Sequence, residues 1–298
     1  MGKNEIHFMG FLANFDDINS SILNLKLKHG FEIRCDSLQK ISQLVSILDN
    51  TSCDTAQIKL INAGINSYVT TPDGDGDRFV YYIYNSVNDE IHKNHVYLLH
   101  FINLMRLFKE GDVSMPLEYQ FYYKNGVPTV SSMGEDTAIR VSRNRFSIFD
   151  EELPKLQEFI RLIQLPFKKK FLKLAFDNYQ LSYDVNYPSL QFLTLTNCME
   201  VLFSPSDRDE LRFRVSRNLA ILLGKNKDDS EKIFKKMREF YDKRSKIVHS
   251  GEANVTKNDV LTLRSYARES IKKFYRTNKE RNELLKLLDY SGFGQPPK

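Results

Sequence analysis

The sequence predicts an α+β protein, an N-terminal mixed α/β domain followed by an all-α helical bundle. Three observations carry this expectation. The length of 298 residues corresponds to about two domains at roughly 150 residues each. The texture changes near residue 150: before it, short runs rich in Ile, Val, Phe and Tyr alternate with Gly, Asn, Asp and Pro clusters, and after it apolar residues recur at helical spacing. The charge divides at the same place. Residues 1–150 hold 14 Lys and Arg against 18 Asp and Glu, a net of −4, whereas residues 151–298 hold the other 29 against 20, a net of +9. The expected organisation is a mixed domain over 1–148, a helical domain over 149–290 and a C-terminal tail over 291–298.

In the first half, strands are expected over 5–12, 22–28, 31–35, 65–70, 78–84, 118–123 and 137–142, with a hairpin turn at Lys28-His29-Gly30-Phe31. Leu38, Ile41, Leu44, Val45 and Leu48 fall on one helical face, and Tyr97–Phe108 continues a second apolar-faced helix. In the second half, Glu151–Tyr179 is helical but divided at Pro166. Pro188–Phe203 is apolar nearly all round and should be a central, buried helix. Asp207–Leu223 is expected to start at a Ser206 or Asp207 cap and stop at Gly224. Asp228–His249 has acidic residues in its first turn and Gly251 beyond its end; Thr256–Thr277 opens on a cap candidate, and a short helix covers Glu280–Leu288.

Composition removes several function classes. With 41% hydrophobic and 27% charged residues the chain is neither disordered nor fibrous. No window approaches ~18 uninterrupted apolar residues, and Glu5 and His7 stand where a signal peptide would begin its apolar run. Gly2 suggests myristoylation, but Ile6 occupies the position that needs Ser or Thr. Cys35, Cys53 and Cys198 are odd in number and widely spaced, which supports neither a disulfide framework nor a zinc ribbon. A cytoplasmic protein without a membrane partner is expected. Asp73-Gly74-Asp75-Gly76-Asp77 resembles the start of a calcium loop, but Arg78 and Tyr84 replace the required Gly and Glu; a solvated turn is expected. His92, His95 and His100 lack metal-ligand spacing. Neither a P-loop nor a Gly-rich dinucleotide fingerprint occurs, so no metal or cofactor is expected.

The most specific pattern is Tyr241-Asp242-Lys243-Arg244-Ser245-Lys246-Ile247-Val248-His249-Ser250-Gly251. Arg244 and His249 are five positions apart, so on an ideal helix they point about 140° from each other and rise by ~7.5 Å. A guanidinium and an imidazole at a helix end can converge on one anion, above all if a second protomer completes the pocket. His249 can equally be a C-terminal histidine that gains from the helix dipole. Glu200, alone in an apolar helix, either pairs with Arg244 or faces solvent. Lys243, Lys246, Arg212, Arg214 and Arg217 are candidates to track an RNA backbone, with Lys168-Lys169-Lys170 more simply a solvated face. Tyr241 either stacks on a base or packs, and packing is the better expectation.

The run Tyr241-x-x-Arg244-Ser245-x-Ile247-Val248-His249-x-Gly251 resembles the signature of the HEPN superfamily, specifically its Apea-like branch, in which Arg, a polar residue and His lie near the end of a helix. Asn197-Cys198-Met199-Glu200-Val201-Leu202-Phe203 is similar to that branch's acidic helix, and Leu211-Arg212-Phe213-Arg214-Val215-Ser216-Arg217-Asn218-Leu219-Ala220 to its basic helix. The resemblance covers roughly residues 150–290 and leaves the first half unexplained. It implies a HEPN-like bundle of four to five helices that forms a homodimer with the Arg/His helices facing across a cleft. It also implies a metal-independent endoribonuclease: His249 in acid–base transfer, Arg244 on the phosphate, Ser245 orienting His249 or bonding a phosphate oxygen, and Glu200 and Tyr241 in support. Antiphage defence or a toxin-like stress response, held in check by a regulatory or antitoxin partner, is the expected setting. The alternative is a non-catalytic HEPN interaction module that binds RNA, a nucleotide or a protein.

Overall fold

The computed structural model describes residues 5–17, 21–70, 76–87, 91–136, 142, 144–204, 210–251 and 254–295. Two compact units emerge, Met1–Gln164 and Leu165–Lys298, and the architecture is α+β as expected.

In the first unit the strands are β1 (Ile6–Ala13), β2 (Phe15–Asp17), β3 (Glu32–Ser37), β4 (Ser67–Thr70), β5 (Gly76–Val87), β6 (Ser114–Lys124), β7 (Val127–Glu135) and β8 (Phe146–Ile148). The helices are α1 (Leu38–Asp49), α2 (Cys53–Asn62), α3 (Ile91–Phe108) and α4 (Leu153–Leu162). An antiparallel sheet runs in the order β3-β5-β1-β6-β7, with β4 pairing the first residues of β5, while β2 and β8 form a separate parallel pair. Because strand side chains alternate, Met9, Phe11 and Ala13 enter one core with Leu38, Ile41 and Val45 of α1 and Ala56 and Leu60 of α2. Phe8 falls on the opposite face, where its ring meets Phe31 edge-on and Phe31 stacks on Tyr97 of α3.

One expectation needs correction here. The segment 22–28 is not a strand: a 3-10 turn covers Ser21–Asn24 and buries Ile22, and Leu25 just after it is buried as well. The turn after it is present, since His29 and Gly30 both take positive φ (59° and 74°) and the Phe31 amide donates to the Lys28 carbonyl. The expected strand 137–142 lies outside the described residues except for Ser142, which is not in a strand. The two compact units divide between Gln164 and Leu165, whereas the expected division is at 148/149. Phe159 of α4 packs edge-on against Phe108 of α3, Lys109 pairs with Glu152 at 2.7 Å, and the Gln157 amide exchanges bonds with both backbone groups of Lys26; α4 is therefore built into the first unit. The 73–75 stretch of the acidic turn is also outside the described residues, and β5 already begins at Gly76. His95 pairs with Glu118 at 3.2 Å, and no group of metal-ligating side chains exists among the described residues.

The second unit is a helical bundle of α5 (Lys170–Asp184), α6 (Pro188–Phe203), α7 (Leu211–Leu223), α8 (Lys227–Ser250), α9 (Lys257–Thr277) and α10 (Arg281–Tyr290). α6 packs against α5, α7, α8 and α9 and buries Phe192, Leu195, Cys198, Met199, Leu202 and Phe203. This central position is the one its apolar sequence predicts. α7 starts later than expected, at Leu211 after a left-handed Glu210, and the predicted caps Ser206 and Asp207 lie outside the described residues. The expected tail is docked as far as Gln295: Phe293 packs on Phe234, and the Gly294 amide donates to Ser230 Oγ at 3.1 Å.

Helix C-termini present carbonyls without intrahelical partners. In this unit, basic side chains from neighbouring elements bond several of them. Arg281 donates to Val201 and Ser204 at the end of α6, Lys273 to Leu222 at the end of α7, and Lys169 to Lys279 just after α9. Arg217 donates to Leu288, Asp289 and Ser291 at the end of α10. None of the described helices is long and apolar enough to cross a membrane.

Candidate functional site

The site rests on α8. Its first turn is fixed by Asn226, whose side chain accepts the Asp229 amide at 2.9 Å, and Asp228 and Asp229 lie at the positive end of the helix dipole. It stops at Gly251 (φ 69°, ψ −2°), a left-handed residue whose amide donates to Ile247. Glycine takes that conformation with the least strain. The stop leaves His249 in the last turn, exposed to solvent.

Three faces of α8 do different work. One faces α6: Phe240 packs edge-on against Phe192, Tyr241 is buried, and Arg244 Nε lies 3.0 Å from Glu200 Oε1. The pairing of Glu200 with Arg244 is therefore present. Both of these atoms are buried and neither is in hydrogen-bond geometry, and the same holds for the Tyr241 hydroxyl. Burial first, and then the Glu200 carboxylate, push the Tyr241 phenol far up from its ordinary value, although Arg244 pulls the other way. The phenol therefore keeps its proton. Tyr241 packs, as expected, and is not open to stack on a base.

A second face carries Asp242, Ser245 and His249 at positions i, i+3 and i+7, one stripe of the helix. All three are exposed. Arg212 of α7 reaches this stripe through Asp242, with Nη2 to Oδ2 at 2.6 Å. Ser245 lies one turn before His249 on the same side, where a hydroxyl can orient an imidazole. Lys246 is exposed beside them.

The third face turns to α9. Lys243 Nζ lies 2.5 Å from Asp259 Oδ2 and 3.2 Å from the Asn254 carbonyl, and Lys236 approaches the other oxygen of Asp259 at 3.5 Å. Asp259 also closes the capping box with Thr256. Lys243 thus holds the start of α9, as Arg217 holds the end of α10. Arg214 is half-buried on α7. Asp242 and Asp259 were not singled out in the sequence, although Thr256-x-x-Asp259 carries a recognisable capping signal.

The structure therefore joins Glu200, Tyr241 and Arg244 in one cluster and aligns Arg212, Asp242, Ser245 and His249 on another face. It does not bring Arg244 and His249 onto a single stripe. No family model, curated protein or solved structure matches this chain.

Proposed function

We propose that the second unit is a HEPN-type, metal-independent endoribonuclease acting as a homodimer. The observation that carries this reading is the ion pair between Glu200 and Arg244 at 3.0 Å beside an exposed His249 on the closing turn of α8. A carboxylate on one edge of a guanidinium leaves its other edge for a phosphate, since the fork has two faces for bidentate contact. The angular separation of Arg244 and His249 favours a composite site, in which the imidazole of one protomer and the guanidinium of the other address one phosphodiester.

In that site His249 takes the proton of a ribose 2′-hydroxyl as the oxygen attacks the adjacent phosphorus. The P–O5′ bond breaks, and the leaving oxygen takes up a proton from solvent, to which His249 later returns the one it removed. Arg244 carries the charge that develops on the phosphoryl oxygens. Ser245 orients His249, while Lys246 and Arg212 supply positive charge along the strand. The products are a 2′,3′-cyclic phosphate and a 5′-hydroxyl, and the RNA itself provides the nucleophile. A cytoplasmic role in antiphage defence or stress, with a restraining partner, accords with such a toxic activity.

The test is incubation of the protein and its Arg244→Ala and His249→Ala variants with total RNA in EDTA, followed by mapping of the ends. Cleavage by wild type alone, with cyclic phosphate ends, is the expected result. Retention of RNA by all three proteins without any cutting would replace this reading with the interaction module.

A further inference from the structure

Three polar atoms of the α6–α8 contact are buried without a hydrogen bond: Glu200 Oε1, Arg244 Nε and the Tyr241 hydroxyl oxygen. A group in that state costs free energy, so its presence calls for an explanation. Tyr241 is 7% exposed, far more enclosed than its two companions, whose side chains retain 21% and 29%. Its ring already fills the contact, so the hydroxyl is what packing does not explain.

We infer that Tyr241 is a positioning residue: these three unsatisfied neighbours satisfy one another by a small turn of their end groups, the Tyr241 hydroxyl donating to the Glu200 carboxylate, which in turn fixes Nε of Arg244 and commits the terminal nitrogens to an anion. The inference rests on the ribonuclease reading for the identity of that anion, an RNA phosphate, but not for the linkage itself. The chemistry suits each member. Tyr241 keeps its proton and can act as a donor, Glu200 carries the only carboxylate and can accept from both neighbours, and Arg244 has donors on two edges. A carboxylate held by a single ion pair can swing between the two edges of a guanidinium. A second donor on that carboxylate removes the freedom and leaves one edge, Nη1/Nη2, for bidentate contact. Tyr241 thus acts through Glu200 and touches no substrate.

The test uses Tyr241→Phe, which retains the ring, in the full chain. The readout is the Arg244 Nε–H resonance, assigned by its disappearance in Arg244→Lys. In wild type it should be displaced from the free-arginine position and protected from exchange. In Tyr241→Phe it should move towards the free position and exchange at least tenfold faster, while the melting curve shows a folded protein. Affinity for inorganic phosphate should fall about tenfold, as expected for loss of a hydrogen bond to a charged group. In a Glu200→Gln background, Tyr241→Phe should add nothing to either effect. An unchanged Nε–H resonance in Tyr241→Phe, or independent losses in the double variant, would overturn the inference. An altered resonance in a protein that neither binds phosphate through Arg244 nor cuts RNA would leave the linkage standing and remove the ribonuclease reading instead.

Discussion

Asp259 shows how much a single carboxylate does in the helical unit. Burial opposes its ionisation, but the bonds from Lys243 and from Thr256 outweigh burial and hold the carboxyl down at about 2. Free aspartate titrates near ~3.9. Its folded value is the lower one, so the unfolded chain binds the extra proton as the pH drops. The stabilisation is therefore complete above about pH 4 and is lost as pH falls towards 2. Lys243→Met should cost on the order of 2 kcal/mol at pH 7 by stranding this carboxylate, and the deficit should shrink at pH 2. Denaturant melts across that range check it, and an equal deficit at both ends would refute the assignment. By contrast His249, exposed and placed by its helix alone, should be replaceable by Ala within about 0.5 kcal/mol of stability. On the proposed ribonuclease function, cleavage should fall by about a hundredfold or more, which an end-mapping assay separates from unfolding.

Helices were more legible than strands, and the reason is where their side chains go. α6 reads correctly over Pro188–Phe203 because it is enclosed by neighbours and its sequence is apolar accordingly. α8 reads correctly because its acidic first turn and Gly251 mark both ends. α2 was missed, since only Ala56 and Leu60 of its ten residues are buried and an apolar period barely registers. β7 was missed for a similar reason: at the sheet edge it buries none of its residues fully, and Thr129, Ser131 and Ser132 interrupt its alternation. In the site, the Arg244 and His249 spacing and the partnership with Glu200 were readable. The separate duties of the faces of α8 were not, because they depend on which neighbour each stripe meets. The end of α8 offers a direct test. Nothing lies within 4 Å of the position a side chain would take at Gly251, so Gly251→Ala should cost only the backbone term, about 1 kcal/mol. Thermal melting measures it, and a loss of several kcal/mol would mean that the turn makes contacts beyond its own conformation.

At the scale of the molecule, the two units each hold their own core, so residues 165–298 expressed alone should melt as one cooperative transition. A non-cooperative transition would show that the helical unit depends on the first. The +9 of the C-terminal half is real, yet Lys169, Arg217, Lys243, Lys273 and Arg281 all donate to backbone carbonyls within their own unit. Charge that a sequence tallies is thus not the same as charge a solute can reach. The distinction should be visible as a reactivity map. An amine-directed acylating reagent, applied sparingly and read by peptide mass spectrometry, should modify the exposed Lys246 well before Lys243 three residues earlier on the same helix. Lys243 should become reactive only under conditions that loosen α9, so that a change in its acylation reports opening of the bundle while the rest of the basic surface reports only solvent.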